Sequence, residues 1–217
     1  SADLTNIPLV EHIARKRRPI LLSTGMSDLE EIADAVNAVR CHHDQLILLQ
    51  CTSAYPADNA DLNLRAMDTL RREFGVLVGY SGHERGLAPT DAAVALGAVV
   101  VERHFTLDRT LPGPDHAASL EPHGLELLVR NIRNIEAALG SPRKRFLPAE
   151  GPTRERLAKS IAAACDIPAG TVLTALHLRI KGPGTGISPR FLPRLLGVVA
   201  RQDIRADTLI PPEALQW

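Results

Sequence analysis

The sequence predicts an α/β fold, a parallel sheet with crossover helices, followed by a small all-β domain. Three observations point there. Four short apolar runs are each followed by a helical or loop stretch, and tandem strand–helix units give parallel strands with right-handed crossovers. The runs ILL, LILL and AVVV are unbroken rather than alternating, as in a sheet covered on both faces. The tail repeats itself: Asp166-Ile167-Pro168-Ala169-Gly170-Thr171-Val172-Leu173 recurs as Asp203-Ile204-Arg205-Ala206-Asp207-Thr208-Leu209-Ile210 at an offset of 37 residues. A doubly wound sheet and a TIM barrel both accommodate the first part, four units being half of a barrel.

The elements follow in order. Pro19 to Ser23 is the first strand. Gly25 turns the chain, and Ser27 with Glu30 forms a capping-box pattern. The helix it opens carries Leu29, Ile32, Ala33, Val36 and Val39 on one face. Gln45 to Gln50 is the second strand, and a polar loop, CTSAYPADNADL, follows it. Leu64 to Phe74 is a helix, Val76 to Tyr80 the third strand, Thr90 to Leu96 a short helix and Ala98 to Glu102 the fourth strand. Leu125 to Leu139 is a helix with Leu128, Ile132, Ile135 and Leu139 in register. Residues 141–156, rich in Pro, Gly and Arg, read as a linker between a domain at 1–140 and a β domain at 157–217. The basic cluster Arg143, Lys144 and Arg145 reads as a solvated connector. The two tail copies follow SIAAAC and GVVAR, as expected of a pseudo-symmetric domain of about 60 residues with a thin core.

Composition narrows the function. Lys and Arg number 25 against 25 Asp and Glu, which disfavours a nucleic-acid scaffold or a binder of anionic membranes. Aromatic residues are 3% of the chain, too few for single-strand stacking platforms. No apolar run reaches the roughly 18 residues of a membrane span. The opening SADLTNIPLV lacks the pattern of a signal peptide. Cys41, Cys51 and Cys165 fit neither a disulfide framework nor a zinc knuckle, so a reducing, cytoplasmic setting is expected.

Functional groups of parallel α/β folds collect at the carboxyl ends of strands. There the sequence offers Ser23-Thr24-Gly25, Cys51-Thr52-Ser53-Ala54-Tyr55-Pro56, Ser81-Gly82-His83 and His104-Phe105-Thr106. His83 and His104, on consecutive units, are expected to be neighbours. Two imidazoles can bind a divalent metal and leave positions for substrate and water; two unrelated loop histidines fit their positions equally well. Ser23, Ser53 and Ser81 can form a phosphate cradle, or simply cap helices and close turns. In Leu111-Pro112-Gly113-Pro114-Asp115-His116 an acid and an imidazole sit in a rigid loop, suiting a substrate clamp, an acid–base pair or a helix-entry turn. Cys51 reads as a small buried residue with no neighbour to activate it. Gly182 to Ser188 reads as a turn of the β domain, since the strand–helix context of a nucleotide loop is absent.

Together STGMSDLEEI, QCTSAYP, GYSGHE, ERHFTLDRTLPGPDHAASLEP and PGTGIS resemble the sialic acid synthase family. That family includes N-acetylneuraminate, legionaminate and pseudaminate synthases and spore-coat polysaccharide enzymes. The resemblance runs the length of the chain. It implies the C-terminal half of a TIM (β/α)8 barrel followed by an antifreeze-like (SAF, β-clip) domain, with further strands, a phosphate-binding lysine and sugar contacts upstream of Ser1 in a longer native protein. A half-barrel alone would leave two strand edges unpaired. It also implies condensation of phosphoenolpyruvate with an N-acylated amino sugar, release of phosphate, a Mn²⁺ or Mg²⁺ cofactor and a domain-swapped homodimer. His83 and His104 align with the metal ligands. Ser1, Ser23, Ser53 and Ser81 match positions holding phosphoenolpyruvate, and Tyr55 and Asp115 match contacts to the sugar. Asp3 stands where some members carry an acid implicated in the chemistry. The departures are Ser53, where some members have Asn, and Gly182, where many have an Arg that reaches the partner's sugar; Arg179 or Lys181 could substitute for it. Another acylamino sugar, or a non-catalytic binding module, remain alternatives.

Overall fold

A computed structural model of the chain describes residues 1–216. The chain divides into two units, Ser1–Ser141 and Pro142–Trp217; Trp217, the last residue of the expected β domain, lies outside the described residues.

The first unit is built on four parallel strands in the spatial order of the sequence. They are β1 (Ile20–Ser23), β2 (Leu46–Cys51), β3 (Leu77–Gly82) and β4 (Val101–Arg103). Helices α1 (Ile7–Ala14), α2 (Leu29–Arg40), α3 (Ala66–Phe74), α4 (Ala88–Ala95) and α5 (Pro122–Leu139) alternate with them. Sequential neighbours with helical crossovers make this half of a (β/α)8 barrel. Its core lies between the helices and one face of the sheet: Ile32, Val36 and Val39 of α2 and Met67, Leu70 and Phe74 of α3 pack with Leu48, Val78 and Tyr80.

Cover on the second face is not found at every position. Side chains of a strand alternate between faces, and Ile20 and Leu22 pack into the helical core while Leu21 is 52% exposed. Leu77, beside buried Val78, is 59% exposed. The unbroken apolar runs thus serve one helical face and one inward face, which in a closed barrel is filled by side chains from other strands.

Several boundaries move. The capping box of α2 is Asp28 with Glu31, not Ser27 with Glu30. The Asp28 carboxylate accepts from the Glu30 and Glu31 amides at 3.0 Å each, and Glu31 accepts from the Asp28 amide at 3.1 Å. Ser and Asp cap about equally well, so SDLEE offers two frames. α4 and α5 begin earlier than periodicity indicates, because Pro89 and Pro122 sit in their first turns, where proline costs no hydrogen bond. α3 starts at Ala66 rather than Leu64 and ends on Gly75 at φ 60°, the left-handed conformation glycine adopts freely. α1, with Val10 and Ala14 buried one turn apart, was not expected.

In the second unit, residues 148–156 of the expected linker, and Leu157 after them, are helical, as a 3-10 turn and α6 (Gly151–Leu157). β5 (Ser160–Ala163) pairs antiparallel with β6 (Leu178–Lys181). After the short helix α7 (Leu192–Leu195), β7 (Val199–Ala200) pairs with β8 (Leu215–Gln216). The repeated segments face each other. Ile167 and Ile204 exchange both backbone hydrogen bonds at 2.8 Å. Asp203 Oδ1 accepts from the Ala169 amide at 2.8 Å, and Asp166 Oδ1 from the Ala206 amide at 2.7 Å. Ile161, Ile167, Leu173, Ile204 and Ile210 form the centre of the core. The Gly182–Ser188 turn is fixed by fully buried Ser160, whose hydroxyl donates to the Pro183 carbonyl at 2.6 Å and accepts from the Gly186 amide at 2.9 Å. Gly184 is obligatory there, since a Cβ would lie 2.5 Å from that of Ala158.

The reciprocal caps predict matched effects. Asp166→Ala should speed hydrogen exchange at the Ala206 amide, and Asp203→Ala at the Ala169 amide, by similar factors. Exchange followed residue by residue by NMR checks both.

Candidate active site

At the carboxyl ends of the strands, side chains at i and i+2 share a face. This places Cys51 with Ser53, Ser81 with His83, and Glu102 with His104. Register adds the lateral neighbours: Cys51 lies opposite Ser81, and Ser81 opposite Glu102.

The hydroxyls gather into a cluster. Ser1 Oγ donates to Ser23 Oγ at 3.0 Å and accepts from the Gly25 amide at 3.1 Å. Cys51 Sγ lies 3.6 Å from Ser1 Oγ and 3.9 Å from Ser53 Oγ. A Cβ on Gly25 would fall 2.2 Å from Ser53 Oγ, 2.8 Å from Ser1 Oγ and 3.1 Å from Cys51 Sγ. The backbone therefore approaches the cluster as only glycine allows. Ser81 donates to Glu102 Oε2 at 2.7 Å.

The histidines lie beside this cluster. Their ring centroids are 5.0 Å apart, and the Tyr55 ring lies 4.3 Å from His83 and 5.7 Å from His104. The Thr52 carbonyl is 2.8 Å from His83 Nδ1. A carbonyl only accepts, so Nδ1 carries the proton, and in the neutral imidazole Nε2 keeps the lone pair. Asp115 Oδ2 lies 3.8 Å from His104 Nδ1. The Nδ1 contact of His83 orients its ring as metal-ligating imidazoles usually are; His104 has only an acid beside its Nδ1, and the pair could hold one divalent ion. Among the described residues no group of three or more His, Cys, Asp or Glu side chains is placed to hold a metal ion, so any ion here would rest on the two imidazoles alone. Two protein ligands would leave coordination positions to substrate and water.

Not every expected residue joins. Asp3 is exposed and accepts from Asn6 Nδ2 at 3.4 Å; among the described residues no hydrogen bond or ion pair links it to either imidazole. Asp115 precedes a 3-10 turn, His116–Ala118, while His116 turns instead to Thr106, with 2.7 Å between Nδ1 and Oγ1. In the second unit Arg179 and Lys181, considered as substitutes for an Arg at Gly182, are both paired with Asp207.

Cys51 is corrected. It does have an activating neighbour, because His83 Nδ1 lies 3.7 Å from its sulfur. Burial pushes the thiol up, but hydrogen bonds from His83, Ser23, Ser1 and Ser81 outweigh it and bring the pKa down to about 6. The same contact raises the His83 pKa; burial opposes the rise and the Thr52 carbonyl adds to it. Glu102 was missed, although its place two residues before His104 was a readable signal.

Residues 1–144 match the model of the NeuB family, and residues 158–216 match the SAF domain. The chain belongs to the NeuB family. Human N-acetylneuraminate-9-phosphate synthase is 43% identical over 215 residues, covering 98% of this chain and 60% of the relative. N,N'-diacetyllegionaminic acid synthase of Legionella pneumophila is 40% identical over 215 residues, covering 97% of this chain and 60% of that protein. This NeuB-family chain thus spans about 60% of the length of these relatives. Among solved structures, N-acetylneuraminic acid synthetase from Leptospira borgpetersenii superposes with a TM-score of 0.65 at 36% identity, over 70% of this chain and 53% of that one.

The close approach at Gly25 yields a prediction. Gly25→Ala should displace the Ser53 and Ser1 hydroxyls and destabilise the first unit by about 1–3 kcal/mol, the usual cost of overpacking. Thermal denaturation of the variant against the parent measures it.

Proposed function

We propose that the chain is the part of a nonulosonate synthase that holds phosphoenolpyruvate and the reacting end of an N-acylated amino sugar of the N-acetylmannosamine type. One observation carries the reading: a glycine-backed hydroxyl cluster abuts two oriented imidazoles in a NeuB-family chain whose relatives are sialic and legionaminic acid synthases.

Ser1, Ser23 and Ser53 bind phosphoenolpyruvate through their hydroxyls, with the Gly25 amide at their back; Ser81 contributes from the next strand. Tyr55 and Asp115 face the sugar. His83 and His104 would hold Mn²⁺ or Mg²⁺ through Nε2, and such an ion supplies Lewis-acid polarisation of the aldehyde oxygen. The C=C electron pair of phosphoenolpyruvate forms the new C–C bond to the open-chain sugar's carbonyl carbon, whose oxygen takes up a proton. Water adds at the cationic C2 and loses a proton. The C2–O bond to phosphate then breaks as the new C2 hydroxyl gives its proton to the departing phosphate, leaving the keto acid and inorganic phosphate. The hydroxyl cluster orients the phosphate through these steps.

The test is phosphate release by the full-length protein from phosphoenolpyruvate, N-acetylmannosamine and Mn²⁺. His83→Ala and His104→Ala should each reduce the rate about a hundredfold or more, as removal of a several-kcal/mol electrostatic contribution requires. Undiminished release in both variants would reject the metal role, and no release with any acylamino sugar would favour a binding module.

We propose in addition that the protein is a homodimer that exchanges its SAF domains. Light scattering at micromolar concentration should give twice the subunit mass; a monomer would overturn this.

A further inference from the structure

The strand alternation that turns His83 and His104 to one face turns their neighbours to the other. Glu84, directly after His83, and Arg103, directly before His104, form an ion pair whose side chains are 0% and 2% exposed. Arg103 Nη1 donates to Glu84 Oε1 at 2.9 Å, to Thr90 Oγ1 at 2.7 Å and to the Gly86 carbonyl at 3.0 Å. Its Nη2 donates to the Glu84 carbonyl at 2.6 Å. Thr90 Oγ1 and the Tyr80 hydroxyl donate to the two Glu84 oxygens at 2.7 and 2.9 Å. Gly82 leaves room for this arrangement: a Cβ there would lie 2.5 Å from Glu84 Oε2, 2.7 Å from Tyr80 Cε1 and 3.1 Å from Arg103 Cδ.

A buried ion pair is weak evidence of a stabilising device, since apolar side chains of similar volume often do as well. Its place suggests another task. The β3–β4 ladder ends at Gly82 opposite Arg103, so each histidine sits just past the last paired residue. From there the Arg103 fork takes over from the ladder, clasping both the side chain and the carbonyl of Glu84. The His83 and His104 carbonyls accept from the amides of Ala57 and Leu120 at 3.1 and 2.8 Å. Those bonds lead away from the seam, whereas the ion pair crosses it.

We propose that Glu84 and Arg103 are positioning residues that set the separation and angle of the His83 and His104 rings. The inference rests on the reading of the two histidines as ligands of one divalent ion. Its test is a Mn²⁺ titration of the full-length protein, read from the electron paramagnetic resonance of free Mn²⁺, alongside thermal unfolding. The double variant Glu84→Leu/Arg103→Met removes both charges together and should unfold no earlier than the parent, while binding Mn²⁺ about 10–100-fold more weakly, the range for groups that orient metal ligands. Arg103→Lys keeps the charge but not the fork, and should fold and weaken Mn²⁺ binding by a smaller factor. Parental affinity in folded double variant, or in Arg103→Lys should the double variant not fold, would overturn the inference. His83→Ala and His104→Ala separate the two ideas. If they lose Mn²⁺ while the pair variants keep it, only the positioning role fails. If they bind as the parent does, or the parent binds none, the metal reading fails and takes this inference with it.

Discussion

The two-residue period of the parallel strands is the constraint on which the site depends. Because alternate side chains leave a strand on opposite faces, the residues at and just past the carboxyl ends of β2, β3 and β4 are sorted into two sets. One set holds Cys51, Ser53, Ser81, His83, Glu102 and His104, and the other holds Tyr80, Glu84 and Arg103. Chemistry and support therefore come from consecutive residues. A shift by one residue in a strand's register would exchange the sets, so the ladder from Ile47 opposite Leu77 to Gly82 opposite Arg103 fixes the geometry of the site as firmly as it fixes the fold.

Two glycines complete this sorting, one on each side. Gly25 lets the backbone come within hydrogen-bond reach of Ser1 without displacing Ser53. Gly82 leaves volume for a glutamate and an arginine where a side chain would collide with both. Neither has a positive φ, so crowding, not backbone conformation, excludes larger residues.

Much of the fold was legible because parallel strands and amphipathic helices write strong periodicities. The order of β1 to β4 and of α2 to α5 follows from unbroken apolar runs and from 3.6-residue spacing. The errors fall where periodicity is silent. SDLEE holds two equivalent capping frames, and Pro89 and Pro122 extend helices into stretches without apolar spacing. In the site, the mouth loops could be named from the ends of strands, but not which side chains touch. Cys51 looked inert because its activating partner, His83, lies on the next strand and is not adjacent in sequence. Asp3 holds a matching position in a motif, but which neighbour its carboxylate takes, here Asn6, could not be read from it. Glu84 and Arg103 were hidden by standing next to the residues that drew attention.

The reciprocal Asp166 and Asp203 caps make the small domain equivalent to a dimer fused into one polypeptide. Each copy of the repeat lends the other its cap and one rung of backbone pairing, so neither copy is complete by itself. The two copies are consequently tied by mutual dependence even as their sequences drift apart. Pro168 and Gly170 in one copy stand where the other has Arg205 and Asp207, while the paired aspartates and isoleucines that interlock the copies are the same in both.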